Sequence, residues 1–404
     1  RLYPQTALAA HILGWTDFDG RGVAGMEKVL DRSLSDPSLR GTPTALSIDS
    51  RVQAAMESEL GAAMTKHRAE GGTGVVLDVK TGELLALASF PTFNPNAAGK
   101  FAANSQYNRA TMGVYELGST FKPLTVATAM DAGTITSLAR RYDASAPIAI
   151  GRFRISDYKG KNRPLTVPEV LVHSSNIGTA RIADEVGVER LQGVFRKLGF
   201  HAPPHIELRE KSHPLWPRIW SRSTLLTSSY GHGVAITPLH LASAYAALVN
   251  GGVWRPATLM KVDSRRVPPG RRVFSEETSR RMRQMLRLVV LHGSGKKGEA
   301  AGYRVGGKTG TAEKSGSGGY SKKVNVSTFA SAFPMDNPRY VVIAMLDAPQ
   351  ATADTFGYTT AGWTAAPIVS KVVARTGALL GVIPDERRDV DVSDLLPLVG
   401  DRGD

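Results

Sequence analysis

Three serines in this sequence are each followed three residues later by a lysine: Ser119/Lys122, Ser156/Lys159 and Ser294/Lys297. Residues three apart on a helix are neighbours, so such a lysine, held neutral, can take the serine proton and create a nucleophile. The second pair falls in the turn "SDYKGKN" and the third in "HGSGKKG", stretches too rich in turn residues and glycine to hold two side chains rigidly. Only the first opens an apolar run, "TFKPLTVATAM". Pro123 is tolerated in a first helical turn, so a helix is predicted to begin close to Ser119. Free backbone N–H groups and the positive end of the helix dipole would there favour developing negative charge. The same residues also fit a capping serine and a solvated lysine, and this stretch alone does not decide between the two.

Other residues narrow the choice. Lys-Thr-Gly occurs twice, at Lys80-Thr81-Gly82 and Lys308-Thr309-Gly310. The first joins two strand-like runs and is explained as a turn. The second lies in "VGGKTGTAEK", whose glycines allow close approach by a ligand or another backbone. Lys308, Thr309 and Thr311 offer one charge and two hydroxyls, a set suited to a carboxylate. "GYRVGGKT" also fits the phosphate-loop pattern, but no apolar strand precedes its glycines and no helix follows its lysine, so nucleotide binding is rejected. Ser174-Ser175-Asn176, between the helical runs "VPEVLV" and "IGTARIADEVG", is the only Ser-x-Asn, and it reads equally as a helix cap. No H-E-x-x-H and no G-x-S-x-G elbow is present, so no metal and no cofactor are expected. His173 and His232 read as packing or hydrogen-bonding residues.

The elements that would position these residues alternate between two periods. "RVQAAMESELGAAMTKHRAE" from Arg51 predicts a helix, followed by a hairpin of "TGVVLDV" and "ELLALASF". Residues 111–199 are mostly helical, broken by a short strand pair around "APIAIGRFRISDYKG". Further helices are predicted at Pro238–Asn250, Glu276–Leu291 and Thr364–Leu380. "YRVGGKTGTAEK", "VNVSTFASAFP" and "YVVIAMLDA" read as strands, with "KSGSGGYSKK" as a loop. Strands at both ends of a unit with helices between them predict an α+β fold whose sheet is completed by chain-distant strands.

Composition bounds the function. Of 404 residues, 42% are hydrophobic and 21% charged, as in globular proteins, and no apolar run reaches membrane-spanning length. A net charge of +14 favours an acidic partner or simply a solvated basic surface, but no Lys/Arg block resembles a nucleic-acid arm. "SRRMRQMLR" spaces its arginines like the wet side of a helix, so no nucleic acid is expected. Cysteine is absent, which excludes thiol catalysis and disulfides and suits an oxidising compartment. The opening "RLYPQ" has no signal-peptide character.

Ser119-x-x-Lys122, Ser174-x-Asn176 and Lys308-Thr309-Gly310, in that order, resemble the active-site set of penicillin-binding proteins and serine β-lactamases. "RLYP", "GVAGMEKVLD", "LSIDSRVQ", "LDVKTGELLALAS" and "SYGHGVAITPLHLASAYAAL" extend the resemblance over nearly the whole chain, to the class B penicillin-binding proteins. The Ser-Ser-Asn form of the middle motif is similar to the septal, FtsI-type members. Glu116-Leu117 stands where many relatives have a proline before the glycine, and the path from Leu34 to Leu46 is short for the family. The resemblance implies a central antiparallel sheet flanked by helices, with an all-helical subdomain. It also implies a transpeptidase domain over 46–404 and a remnant of an N-terminal pedestal over 1–45.

The implied activity is peptidoglycan D,D-transpeptidation, open to β-lactam inhibition. Ser119 would attack the D-Ala-D-Ala stem peptide, with Lys122 as base, kept neutral by desolvation and by the Lys308 cation. Ser174 would relay a proton and Asn176 hold a substrate amide. Thr309, Gly310 and Thr311 would bind the terminal carboxylate, and N–H groups of Ser119 and Thr311 would form an oxyanion hole. Implied partners are a membrane-embedded SEDS-family glycosyltransferase and the divisome, at the periplasmic face of the inner membrane. A D,D-carboxypeptidase or a β-lactam sensor would use the same residues. A class A β-lactamase is disfavoured, since no Glu-x-x-Leu-Asn lies between Asn176 and Lys308.

Overall fold

The computed structural model describes residues 1–400 other than 98, 103, 152, 317 and 318, and side chains other than those of residues 315–323. Its centre is a five-stranded antiparallel sheet. Helix α1 (Ser50–His67) leads into β1 (Gly71–Asp78) and β2 (Leu84–Phe90), and the sheet is completed from the far end of the chain by β3 (Gly306–Gly316), β4 (Gly319–Phe333) and β5 (Tyr340–Asp347), in the order β3-β4-β5-β1-β2. The turn between β1 and β2 is the first Lys-Thr-Gly: Asp78 Oδ1 accepts from the Lys80 and Thr81 N–H groups, and Gly82 takes φ +79°.

Every residue of β5 is buried, which is why it reads as an apolar run from Tyr340 to Leu346, closed by Asp347. Its alternate side chains serve two cores. Val342, Ala344 and Leu346 pack with Val52, Met56 and Leu60 of α1 and with Val369 and Val372 of the last helix (Ala366–Thr376). Val341, Ile343 and Met345 face the other core, built by the intervening helices. Each such fully buried side chain is worth about 1.5–3 kcal/mol of transfer free energy.

Between β2 and β3 lie the helices of the second layer: α2 (Lys122–Asp131), α3 (Val167–Val172), α4 (Asn176–Val186), α5 (Val188–Lys197), α6 (Arg222–Ser228), α7 (Pro238–Val249) and α8 (Glu276–His292). Every residue of α7 is buried against the sheet, and α2 is buried from Lys122 to Ala129, so α2 runs through the molecule rather than along its surface. The short pair Ile148–Ile150 and Phe153–Ile155 stands where the sequence predicts it. Residues 1–45 form short helices and a two-stranded ribbon, and Tyr3 is tied to Asn96 by two hydrogen bonds of 2.9 and 2.8 Å.

Two expectations change. The stretch 314–323, read as a loop, continues the β3–β4 ladder with Lys314 opposite Ser321 and Gly316 opposite Gly319, while 317 and 318 lie outside the described residues. No apolar alternation runs through "KSGSGGYSKK", so nothing in the sequence signals a strand there. The helix at Ser119 begins as a 3₁₀ turn, Gly118–Phe121, and becomes α-helical only at Lys122. Among the described residues no helix is long and apolar enough to cross a membrane.

Candidate active site

The Ser119 turn is held from three sides. Phe121 inserts between Phe195 and Phe200, with both ring centroids at 5.5 Å. Tyr245 donates its hydroxyl proton to Thr120 O at 2.9 Å, and Thr125 donates to Ser229 O at 2.7 Å. Glycines let the neighbouring chains close in: a Cβ on Gly231 would lie 2.2 Å from Gly118 O, and one on Gly310 would lie 2.3 Å from Leu117 O. Gly118 and Gly231 have φ of +54° and +83°, which a side chain would strain. The result leaves Ser119 half-buried on a rigid corner, its hydroxyl without a hydrogen bond among the described residues.

Lys122, one turn on, is fully buried and makes no hydrogen bond to Ser119 among the described residues. Its Nζ donates to Ser174 O and, at 3.1 Å, to Ser174 Oγ. Lys308 comes from the middle of β3, opposite Ala330 of β4, and is also fully buried. Its Nζ donates to Ser174 Oγ at 2.9 Å and to Thr309 O at 3.1 Å. Lys308 lies inside a strand and no helix starts at it, so the phosphate-loop pattern is excluded by geometry as well as sequence. Burial pushes the Lys308 amine down to about 7. Burial and then the Lys308 charge hold Lys122 well below the usual amine range, with Asp157 acting in the opposite sense.

Ser174 itself adopts φ +57°, a left-handed conformation that a non-glycine residue takes only under constraint. The cap of α4 is Ser175, not Ser174: Ser175 Oγ accepts from the Gly178 N–H at 2.9 Å. Ser174 is thereby freed to point its hydroxyl between the lysines. Asn176 opens α4 and donates its side-chain N–H to Ser156 O at 2.9 Å.

On the β3 side, Thr309 Oγ1 lies 2.5 Å from Ser294 Oγ, and Thr311 Oγ1 accepts the Ala361 N–H at 3.1 Å. Thr311 thus retains a hydroxyl proton to offer a ligand. Lys122 and Lys308 therefore meet at Ser174, Asn176 opens the helix that follows it, and β3 carries Thr309 and Thr311 past the Ser119 turn, with Gly310 seated against that turn. Three contributors escaped the sequence: Ser156, Asp157 and Ser294. Two of them sit in Ser-x-x-Lys pairs set aside as turns, and no local pattern links them to the residues they touch. His232, in the loop before α7, lies close enough to Glu116 and Lys122 to feel both charges, and burial lowers its imidazole. Among the described residues no cluster of three or more His, Asp or Glu side chains is arranged to hold a metal ion.

Comparison with known proteins places the chain as a whole. Residues 72–374 match the family described as "Penicillin binding protein transpeptidase domain". The "Probable peptidoglycan D,D-transpeptidase FtsI" of Caulobacter vibrioides is 44% identical over 95% of this chain and 66% of its own length. The "Peptidoglycan D,D-transpeptidase FtsI" of Escherichia coli K12 is 32% identical over 95% of this chain and 68% of its own. The chain thus spans about two thirds of the length of these curated relatives. Penicillin-binding protein 3 of Mycobacterium tuberculosis, solved with aztreonam, superimposes with a TM-score of 0.85 at 30% identity, covering 97% of this chain and 92% of that one. A lone Ser-x-x-Lys would mean little, but the family match, the fold and the identity along the chain agree: this chain belongs to the penicillin-binding proteins, in their FtsI-like, class B branch.

Proposed function

We propose that this chain is the catalytic unit of a peptidoglycan D,D-transpeptidase of the septal type, acting through a Ser119 acyl-enzyme and inhibited by β-lactams. The observation that carries this reading is the convergence of two buried lysines on Ser174 Oγ beside a serine whose own hydroxyl is uncommitted. A neutral Lys122 takes the Ser119 proton as Oγ attacks the penultimate D-Ala carbonyl. N–H groups of Ser119 and Thr311 receive the oxyanion, a term worth roughly 3–4 kcal/mol per donor in other hydrolases. Ser174 passes the proton to the leaving D-alanine nitrogen as the peptide bond breaks. Lys308, Thr309 and Thr311 hold the terminal carboxylate, Gly310 lets their strand approach, and Asn176 orients a substrate amide. An acceptor amine from a second stem peptide then attacks the acyl carbonyl and loses a proton to the lysine relay, which returns one to Ser119 Oγ as the acyl C–Oγ bond breaks.

The relatives' names, peptidoglycan D,D-transpeptidase, support this substrate class, and the antibiotic complex of the M. tuberculosis relative supports β-lactam binding. The finer reading follows from the family resemblance: residues 1–45 as pedestal remnant, a SEDS-family glycosyltransferase and divisome proteins as partners, and the periplasmic face of the inner membrane as location. The test is labelling with a fluorescent penicillin and cross-linking of a supplied D-amino-acid acceptor to a D-Ala-D-Ala peptide. Wild type labels and cross-links, while Ser119→Ala does neither. Labelling that survives in the variant overturns the mechanism, and labelling without cross-linking indicates a D,D-carboxypeptidase if the terminal D-alanine is released, or a β-lactam sensor if it is not.

A further inference from the structure

Asp157 is the acidic residue built into the site. It stands two residues past the short strand Phe153–Ile155, half-buried under the N-terminus of α4. Its two oxygens are fully used. Oδ2 accepts the Ser175 hydroxyl proton at 2.6 Å, and Oδ1 accepts the Asn176 N–H at 2.5 Å and the Ile177 N–H at 3.0 Å. Ser156, its neighbour, accepts the Asn176 side-chain N–H at 2.9 Å. One dipeptide thus grips Ser175, Asn176 and Ile177 immediately after Ser174, the residue held at φ +57°. Two residues on, Lys159 Nζ lies 5.3 Å over the Tyr358 ring, tying the Asp157 loop to the segment whose Ala361 N–H binds Thr311. Charge-assisted bonds of this kind to three successive residues fix a turn that its own backbone does not favour.

We propose that Asp157 is a positioning residue for acyl transfer, locking the turn that presents Ser174 Oγ to Lys122 and Lys308. Its charge acts on the same machinery: Asp157 favours the protonated form of Lys122, opposing burial and Lys308. The charged groups facing Lys122 are Lys308 from β3, Asp157 from the loop before α3, and His232 from the loop before α7. Asp157 therefore gives the turn its shape at the cost of making the base harder to deprotonate.

The inference rests on the proposed acyl-transfer reading, and two variants test it beside Ser119→Ala. Asp157→Asn keeps an oxygen for the Asn176 and Ile177 N–H groups but loses the charge. Acylation by a penicillin, followed against pH, should keep a plateau close to wild type while its acid limb moves to lower pH by about one unit. Asp157→Ala loses the grip altogether, and acylation should fall about 10²-fold across the pH range. An unmoved acid limb in Asp157→Asn, or wild-type acylation in Asp157→Ala, overturns the proposal. If Asp157→Ala fails to fold, the Asn variant decides alone, since a purely structural cap would not move a pH limb. Labelling that survives in Ser119→Ala indicts the acyl-transfer reading instead, so the two failures are separable.

Discussion

Lys122 and Lys308 donate to the same oxygen, Ser174 Oγ, at 3.1 and 2.9 Å. A hydroxyl oxygen has two lone pairs, so both are used and its proton is left to point elsewhere. Two ammonium groups around one buried oxygen repel, which favours the state with one of them neutral. Burial lowers both amines and the repulsion is mutual, but Lys122 is held well below the usual amine range while Lys308 is brought to about 7. Lys122 therefore loses its proton first as pH rises, and the pair divides into a base and a cation.

That division predicts a bell-shaped pH profile for acylation. Below the depressed Lys122 value the base is protonated and acylation slows. Above about 7 Lys308 loses its charge, and its hold on a ligand carboxylate weakens. The second-order acylation constant reports the free enzyme, so both limbs should appear in it, with the basic limb in the binding constant. A β-lactam whose carboxylate is esterified should bind worse near pH 6 and lack the basic limb. A basic limb that persists with the ester would assign it to another group.

Ser174→Ala removes the shared acceptor while leaving the Ser174 and Thr309 carbonyls to hold the amines. The fold should survive, because each buried amine keeps one partner. Acylation should fall by roughly 10²–10⁴-fold, the range of a positioned proton-transfer group. Stopped-flow acylation by a chromogenic cephalosporin measures it, and a loss under tenfold would remove Ser174 from the relay.

How much of this was legible beforehand depended on whether the signal was local. The apolar run of β5, Tyr340 to Leu346, and the β1–β2 hairpin announce themselves because burial imposes a pattern along consecutive residues. Ser119, Lys122, Ser174 and Lys308 were singled out because three separate motifs occur in one order, and the fold brings both lysines to Ser174. Asp157 and Ser294 were not, since their bonds to Ser175, Asn176 and Thr309 join irregular backbone, where neither period applies. The left-handed Ser174 had no glycine to signal it, and its neighbour proved to be the cap. The β3–β4 tip lacked apolar alternation and so read as a loop.

A buried amine that titrates near 7 burdens the fold in a definite pH window. Unfolded, Lys308 returns to about 10.4. Between about 7 and 10 the unfolded chain binds more protons than the folded one, so unfolding free energy rises with pH there. Below 7 the burden is fully present. Lys308→Met removes the charge and keeps most of the volume, so it should stabilise the protein at pH 7 by about 1 kcal/mol while abolishing acylation. Urea unfolding at pH 7 and pH 9 checks this: the gain should shrink at the higher pH. A variant less stable than wild type at pH 7 would show that the bonds to Ser174 and Thr309 outweigh burial.

Gly310 carries no reacting atom, yet it sets the distance between β3 and the nucleophile. An added methyl would sit 2.3 Å from Leu117 O and 2.8 Å from Thr120 Cγ2, and Leu117 O already accepts the Thr120 hydroxyl at 2.9 Å. Neither neighbour is free to yield, because Thr120 is pinned through its carbonyl by Tyr245. Gly310→Ala must therefore push the strand bearing Lys308 and Thr311 away from Ser119, at a cost of roughly 1–3 kcal/mol for overpacking. A displacement near 1 Å costs about 10²-fold where geometry carries the rate, so acylation should fall by that order. Tyr245→Phe frees the Thr120 carbonyl and should return part of the lost rate in the double variant. Additive losses in a double-mutant cycle would show that the clash is absorbed elsewhere and that Gly310 does not govern the approach.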